Sequence, residues 1–85
     1  MENVIDPKEL RAVVGPNVKR LRMAKGLSQA QLADVVGCRE QHISRIENGA
    51  MSPSSELLFA LADAFDVMAD ILRRPVASGK SASVA

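Results

Sequence analysis

The chain has 85 residues, of which 47% are hydrophobic, 25% charged and 2% aromatic, and its formal net charge is +1. A chain this short buries about 60 to 65% of the surface its unfolded form exposes, which excludes a second domain and leaves room for one small core. Phe59 and Phe65 are the only aromatic residues, so that core must be aliphatic, and a charge near zero makes no case by itself for nucleic acid, an anionic membrane or an acidic substrate.

Asp6-Pro7-Lys8-Glu9 supplies a cap residue, a proline at the first helical position and a carboxylate near the positive helix end, which predicts a short helix through Leu10, Val13 and Val14. Gly15-Pro16 is expected to interrupt or bend it. Pro16 then opens a second stretch, in which Val18 and Leu21 share a face and Lys19, Arg20, Arg22 and Lys25 occupy the rest, until Gly26 stops it. Ser28-Gln29-Ala30-Gln31 has the spacing of a capping box and opens a short helix ending at Gly37, with Leu32, Ala33 and Val36 turned inward. After the break at Gly37-Cys38, a helix from Glu40 to about Asn48 buries Ile43 and Ile46 and ends at Gly49.

Pro53-Ser54-Ser55-Glu56 starts the next helix, with Ser54 favoured over Ser52 as cap, and Leu57, Leu58, Leu61, Ala62 and Phe65 form its apolar stripe up to Asp66. A last turn or two from Met68 to Arg73 carries Ile71 and Leu72 before Pro75. The Ser, Ala, Gly and Lys of residues 76–85 predict a disordered tail, because they bury too little apolar area to offset ordering entropy. Strict two-residue alternation is absent, and the expected fold is all helical, with five helices. The organisation that follows is an N-terminal extension over 1–14, a domain over 15–74 and a flexible tail over 75–85.

Cys38 and His42 are the only cysteine and histidine, too few for a disulfide or a zinc cluster, and no metal or cofactor is expected. Ser28, His42 and Asp34 could be assembled into a catalytic set, but no nucleophile elbow or glycine-rich phosphate loop accompanies them, and no enzymatic activity is expected. The start of the chain lacks the basic and apolar stretches of a signal peptide, and no apolar run approaches the ~18 residues of a membrane span. A cytoplasmic location is expected.

The informative unit is Gln29 to Val36, the turn Gly37-Cys38-Arg39, then Glu40 to Asn48. In a helix-turn-helix the first helix crosses the phosphate backbone and props the second, whose outward side chains enter a major groove about 12 Å wide. The chain resembles the phage-repressor and Cro-like helix-turn-helix proteins, the xenobiotic-response-element (XRE) family. The matching residues are Val18-Lys19-Arg20-Leu21-Arg22, Gly26-Leu27-Ser28-Gln29 with Leu32-Ala33, Gly37, Ile43-Ser44-Arg45-Ile46-Glu47-Asn48-Gly49, and Pro53-Ser54 with Leu58, Leu61, Ala62 and Phe65, ending in Asp70 and Leu72. The resemblance covers about residues 15–74 and implies a lambda-repressor-like fold that binds double-stranded DNA.

It also implies roles for individual residues. Arg22 and Glu47 match a partly buried charged pair joining two helices, which fixes geometry more than it adds stability. Gln29 and Asn48 match phosphate-binding positions, with Lys19 and Arg20 as further phosphate contacts. Arg39, Glu40, Gln41 and Arg45 match positions that reach base edges, and Ser44 and His42 stand as secondary contacts. Arg45 suits guanine, Gln41 adenine and Glu40 cytosine. Two positions depart from the family: Arg39 stands where Ser or Thr caps the recognition helix and cannot accept the cap bond, and Asp66 stands where glycine is usual.

Placed on this unit, the charges become informative. Residues 15–49 hold six basic against three acidic side chains, a net +3, and residues 50–74 hold two against four, a net −2. One face of the domain is thus expected to meet phosphates. The expected activity is sequence-specific transcriptional regulation by a homodimeric repressor, with Ile71, Leu72 and Val76 at the dimer surface, helped by Val4, Ile5, Leu10 and Val13. The competing readings are a protein-interaction or antitoxin-type module, and the DNA-binding fragment of a longer regulator. An effector or protein partner is left open.

Overall fold

A computed structural model describes residues 7–74, and the side chain of Pro7 is outside that description. Five helices follow one another: α1 (Pro7–Ala24), α2 (Gln29–Val36), α3 (Glu40–Glu47), α4 (Ser55–Phe65) and α5 (Ala69–Leu72), with no strand among the described residues. They enclose an aliphatic core of Val14, Val18, Leu32, Ala33, Ile43, Ile46, Leu61, Ala62 and Leu72, to which Phe65 adds the one buried ring. Phe59, on the outer side of α4, is exposed.

The expected break at Gly15-Pro16 does not occur: α1 is one helix of 18 residues with Pro16 inside it. A proline there removes a hydrogen bond to the carbonyl of Ala12 and costs about 3 kcal/mol in an unsupported helix. Ala12 and Pro16 are both exposed, so the released carbonyl faces water. Gly15, with no Cβ to meet the proline ring, relieves the usual restriction on the preceding residue. Val14 and Val18, both fully buried on the same side, then hold the two halves in register. The boundary expected between 14 and 15 therefore falls inside a single element whose two halves share one core.

Asn17, 1% exposed, was not anticipated. Its Nδ2 donates to the carbonyls of Leu72 at 2.8 Å and Arg74 at 2.6 Å, and its Oδ1 accepts from Arg20 Nη2 at 3.2 Å. This amide fastens the end of α5, a helix of four residues with no side-chain cap at its start, to α1. The same packing overturns the expectation for Leu72, which is 0% exposed and belongs to the core of its own chain, so it is not available to a second copy. Leu72 lies three residues after the half-buried Ala69, on the side of α5 that faces the rest of the domain. Asp6, Val4, Ile5, Val76 and the tail lie outside the described residues.

Candidate nucleic-acid interface

Local chemistry sets the two motif helices. The Ser28 capping box forms as its spacing predicts: Gln31 N donates to Ser28 Oγ at 3.0 Å, and Ser28 N donates to Gln31 Oε1 at 2.8 Å. Three residues separate α2 from α3. Arg39 takes the N-cap position of α3 with extended backbone and no side-chain cap bond, as expected for a side chain without an acceptor. At the other end Ala50 N donates to Arg45 O at 2.8 Å and Gly49 N to Ile46 O at 3.1 Å, the paired bonds of a Schellman ending. That ending needs a left-handed residue, and Gly49 supplies it with φ +77°.

The inner face of α3 is fixed by apolar and polar contacts together. Ile43 and Ile46 are fully buried, and Glu47 joins them at 9% exposure. Glu47 Oε2 accepts from Arg22 Nε at 2.6 Å and its Oε1 from Arg22 Nη2 at 3.2 Å, a two-pronged pair between α3 and α1. Arg22 Nη1 also donates to Leu27 O at 2.7 Å, ahead of α2. The hydrogen bond to Glu47 raises the Arg22 pKa, against the opposing effect of desolvation, so the guanidinium stays charged. Gln29 Nε2 donates to Glu47 Oε1 at 3.0 Å, which ties α2 into the same network and leaves its Oε1 and one N–H for an outside partner. Arg11 Nε reaches Gly49 O at 3.2 Å, so α1 also holds the loop after α3.

The outer face of α3 carries the residues expected to meet DNA. Arg39, Glu40, Gln41, Arg45 and Asn48 are exposed, and Ser44 is half-buried. A hollow of about 420 Å³ brings Arg39, Gln41 and Arg45 together with His42 and Met51. Glu40 and Ser44 do not line it. Lys19 is exposed on α1, whereas Arg20 is drawn to Asn17 at the α1–α5 junction and does not join the α2–α3 group. A second cleft, about 480 Å³, lies between the motif turn, α3 and α4, with Val36, Cys38, His42, Met51, Ser52 and Leu57 among its walls. Neither Met51 nor Arg11 is among the residues that the sequence pattern marks as functional. The stripe Arg11, Gly15, Val18, Arg22 would have revealed Arg11, had α1 been read as continuous.

A protein-family model described as helix-turn-helix matches residues 18–72. Antitoxin PezA of Streptococcus pneumoniae is 38% identical over 55 residues, which cover 65% of this chain and 35% of that protein. An uncharacterized HTH-type transcriptional regulator of Sinorhizobium fredii, y4dJ, is 37% identical over 59 residues, covering 69% of this chain and 77% of that one. Among solved structures, the P22 c2 repressor in complex with a synthetic operator superposes with a TM-score of 0.71 at 29% identity, over 73% of this chain and 94% of the repressor.

Proposed function

The chain belongs to the helix-turn-helix family, in its Cro/C1-type (XRE) group, and from that premise we propose that it is a sequence-specific transcriptional regulator, a dimeric repressor that occupies a pseudo-palindromic operator. The observation that carries this reading is the division of α3: Ile43, Ile46 and Glu47 anchor its inner face, and Arg39, Gln41 and Arg45 surround an open basic hollow on its outer one. A guanidinium fork at Arg45 suits guanine O6 and N7, and the Gln41 amide suits adenine N6 and N7. Glu40 and Ser44, on the other flank, are assigned to neighbouring base edges. Gln29, Asn48 and Lys19 take phosphates and set the register. Such a protein works where the chromosome is, in the cytoplasm of a prokaryotic cell.

One short helix reads few base pairs, so useful specificity calls for two copies on half-sites about 34 Å apart. Ile71 at 36% and Met68 at 74% exposure give α5 an apolar outer side for that contact. Val76, assigned to the same surface, lies outside the described residues. The likeness to antitoxin PezA favours a second reading, in which this domain binds DNA on behalf of a toxin-neutralising protein whose other parts contact the toxin.

Selection of bound duplexes from a random pool tests the main reading, with half-site symmetry and spacing as the readout. Binding to the selected duplex falls steeply as salt rises. Arg45→Ala costs about 1 to 3 kcal/mol and relaxes preference at one base pair, whereas Gln29→Ala weakens all duplexes alike. Equal loss on selected and random duplexes for Arg45→Ala overturns the base-reading role. A sedimentation mass of one copy, with and without DNA, overturns the dimer.

A further inference from the structure

His42, with Met51, forms the wall shared by the basic hollow and the cleft behind it. It is the single histidine of the chain, half-buried on α3. Its backbone N–H is spent on Arg39 O, and its ring takes no hydrogen bond or ion pair within the described residues. The charged groups around it are Arg39 and Arg45 from its own helix and cap, across the hollow, and Glu56 from α4, across the cleft, with the Cys38 thiol beside it from the motif turn. An unpartnered imidazole on the rim of a hollow with two guanidinium groups is a further donor, free for an anionic oxygen of the duplex backbone.

We propose that His42 is a proton-linked phosphate ligand: in the complex its imidazolium donates to a backbone phosphate at the rim of the hollow, and duplex binding therefore takes up a proton. The inference rests on the DNA-binding reading given above and adds a dependence on pH to it. A phosphate seated against the ring at the rim of the hollow is a nearby anion, which favours the charged imidazole in the complex over the neutral one. Glu56 lines the cleft on the other side of the ring with or without DNA, so it does not create the linkage. Histidine is the side chain whose charge ordinarily changes between about pH 5 and pH 8, and burial pushes the Cys38 thiol up, away from that window. For an ordinary imidazole, a tenfold preference of phosphate for the charged ring lowers Kd about six-fold between pH 8 and pH 6.

The test measures binding of the full chain and of His42→Gln to a short mixed-sequence duplex, by fluorescence anisotropy at one fixed low salt concentration across that pH range. The wild-type Kd falls as pH falls. His42→Gln binds with a Kd that does not change across the range. His42→Lys, with a fixed charge in place of the titrating one, binds tightly at every pH. The single histidine also gives one pair of ring C–H resonances by NMR, whose shared titration midpoint in the wild type moves upward when duplex is added. Parallel pH profiles for the wild type and His42→Gln, or a midpoint that stays or falls on adding duplex, overturn the role of His42 and leave the DNA reading intact. Absence of salt-dependent duplex binding by the wild type overturns both.

Discussion

Gly15→Ala sets two physical effects against each other, and the structure decides the sign. Gly15 is an interior helical position, where alanine is favoured over glycine by about 0.8 to 1 kcal/mol, so propensity alone predicts a more stable protein. A Cβ at Gly15, however, would lie 2.6 Å from Ile46 O and 2.8 Å from Glu47 O, both backbone atoms at the end of α3. Carbon and carbonyl oxygen approach to about 3.3 Å, so α1 must retreat from α3 by about 0.7 Å. That movement pulls on the Arg22–Glu47 pair, whose shorter contact is 2.6 Å, and loosens Val14 and Val18 from the core. Overpacking of this kind costs about 1 to 3 kcal/mol, which exceeds the propensity gain at most of its range. The expected net is a destabilisation of about 1 kcal/mol, seen as a melting temperature about 4 to 8 °C lower. Calorimetry of the wild type, Gly15→Ala and the exposed control Ala12→Gly separates the two effects. The control loses about 1 kcal/mol through propensity alone. An unchanged or raised melting temperature for Gly15→Ala would show that α1 and α3 are not in close backbone contact.

Three further outcomes follow from single positions. Arg22→Met leaves the Glu47 carboxylate, 2% exposed in its side chain, with only the Gln29 amide, and denaturant unfolding should show a loss of about 3 to 5 kcal/mol; a loss below 1 kcal/mol would mean the pair is solvated. Asp66 ends α4 at φ +59°, so Asp66→Gly should raise stability by about 0.5 to 1 kcal/mol in the same assay, and a loss would assign the Asp66 side chain a contact of its own. Burial pushes the Cys38 thiol up, so alkylation by iodoacetamide near neutral pH should be slower in the folded chain than in urea. A thiol raised in the native state adds stability that is present at neutral pH and lost as pH rises through its native value, a decline that Cys38→Ser should lack.

The helices were legible where a side chain or a turn residue acts locally. Ser28 with Gln31, Ser54, and the left-handed positions at Gly37, Gly49 and Asp66 each announce a helix end within a few residues of sequence, and each stands where that chemistry puts it. Gly15-Pro16 misled because its effect is decided at a distance. A proline reads as a break when only its neighbours are visible, yet the gain from burying Val14 and Val18 against α3, α4 and α5 outweighs one lost backbone bond. Leu72 was misplaced for the same reason, since an apolar residue near a chain end reads equally as core or interface until its packing partners are known. Asn17 carries no local signal at all: its partners at Leu72 and Arg74 lie 55 and 57 residues away.

The candidate site divides along the same line. Which residues of α3 face outward follows from helical period once Ile43 and Ile46 are taken as core, so Arg39, Gln41 and Arg45 could be placed from the sequence. What surrounds them could not, because the hollow is closed by Met51 from a loop whose path depends on the Arg11 bond to Gly49 and on the Schellman ending at Gly49. The net charge illustrates the difference between composition and placement. Phosphates respond to local potential, which falls off within about 10 Å at moderate salt, so acidic groups behind the domain do little to cancel guanidinium groups on its front. A chain of net charge +1 can thus present a cationic reading face, and its affinity for duplex should follow the number of cations that reach phosphates, not the total. Removing Asp63, exposed on α4 and outside the lining of the hollow, should accordingly leave the salt slope unchanged, whereas removing Lys19 should lower it by about one.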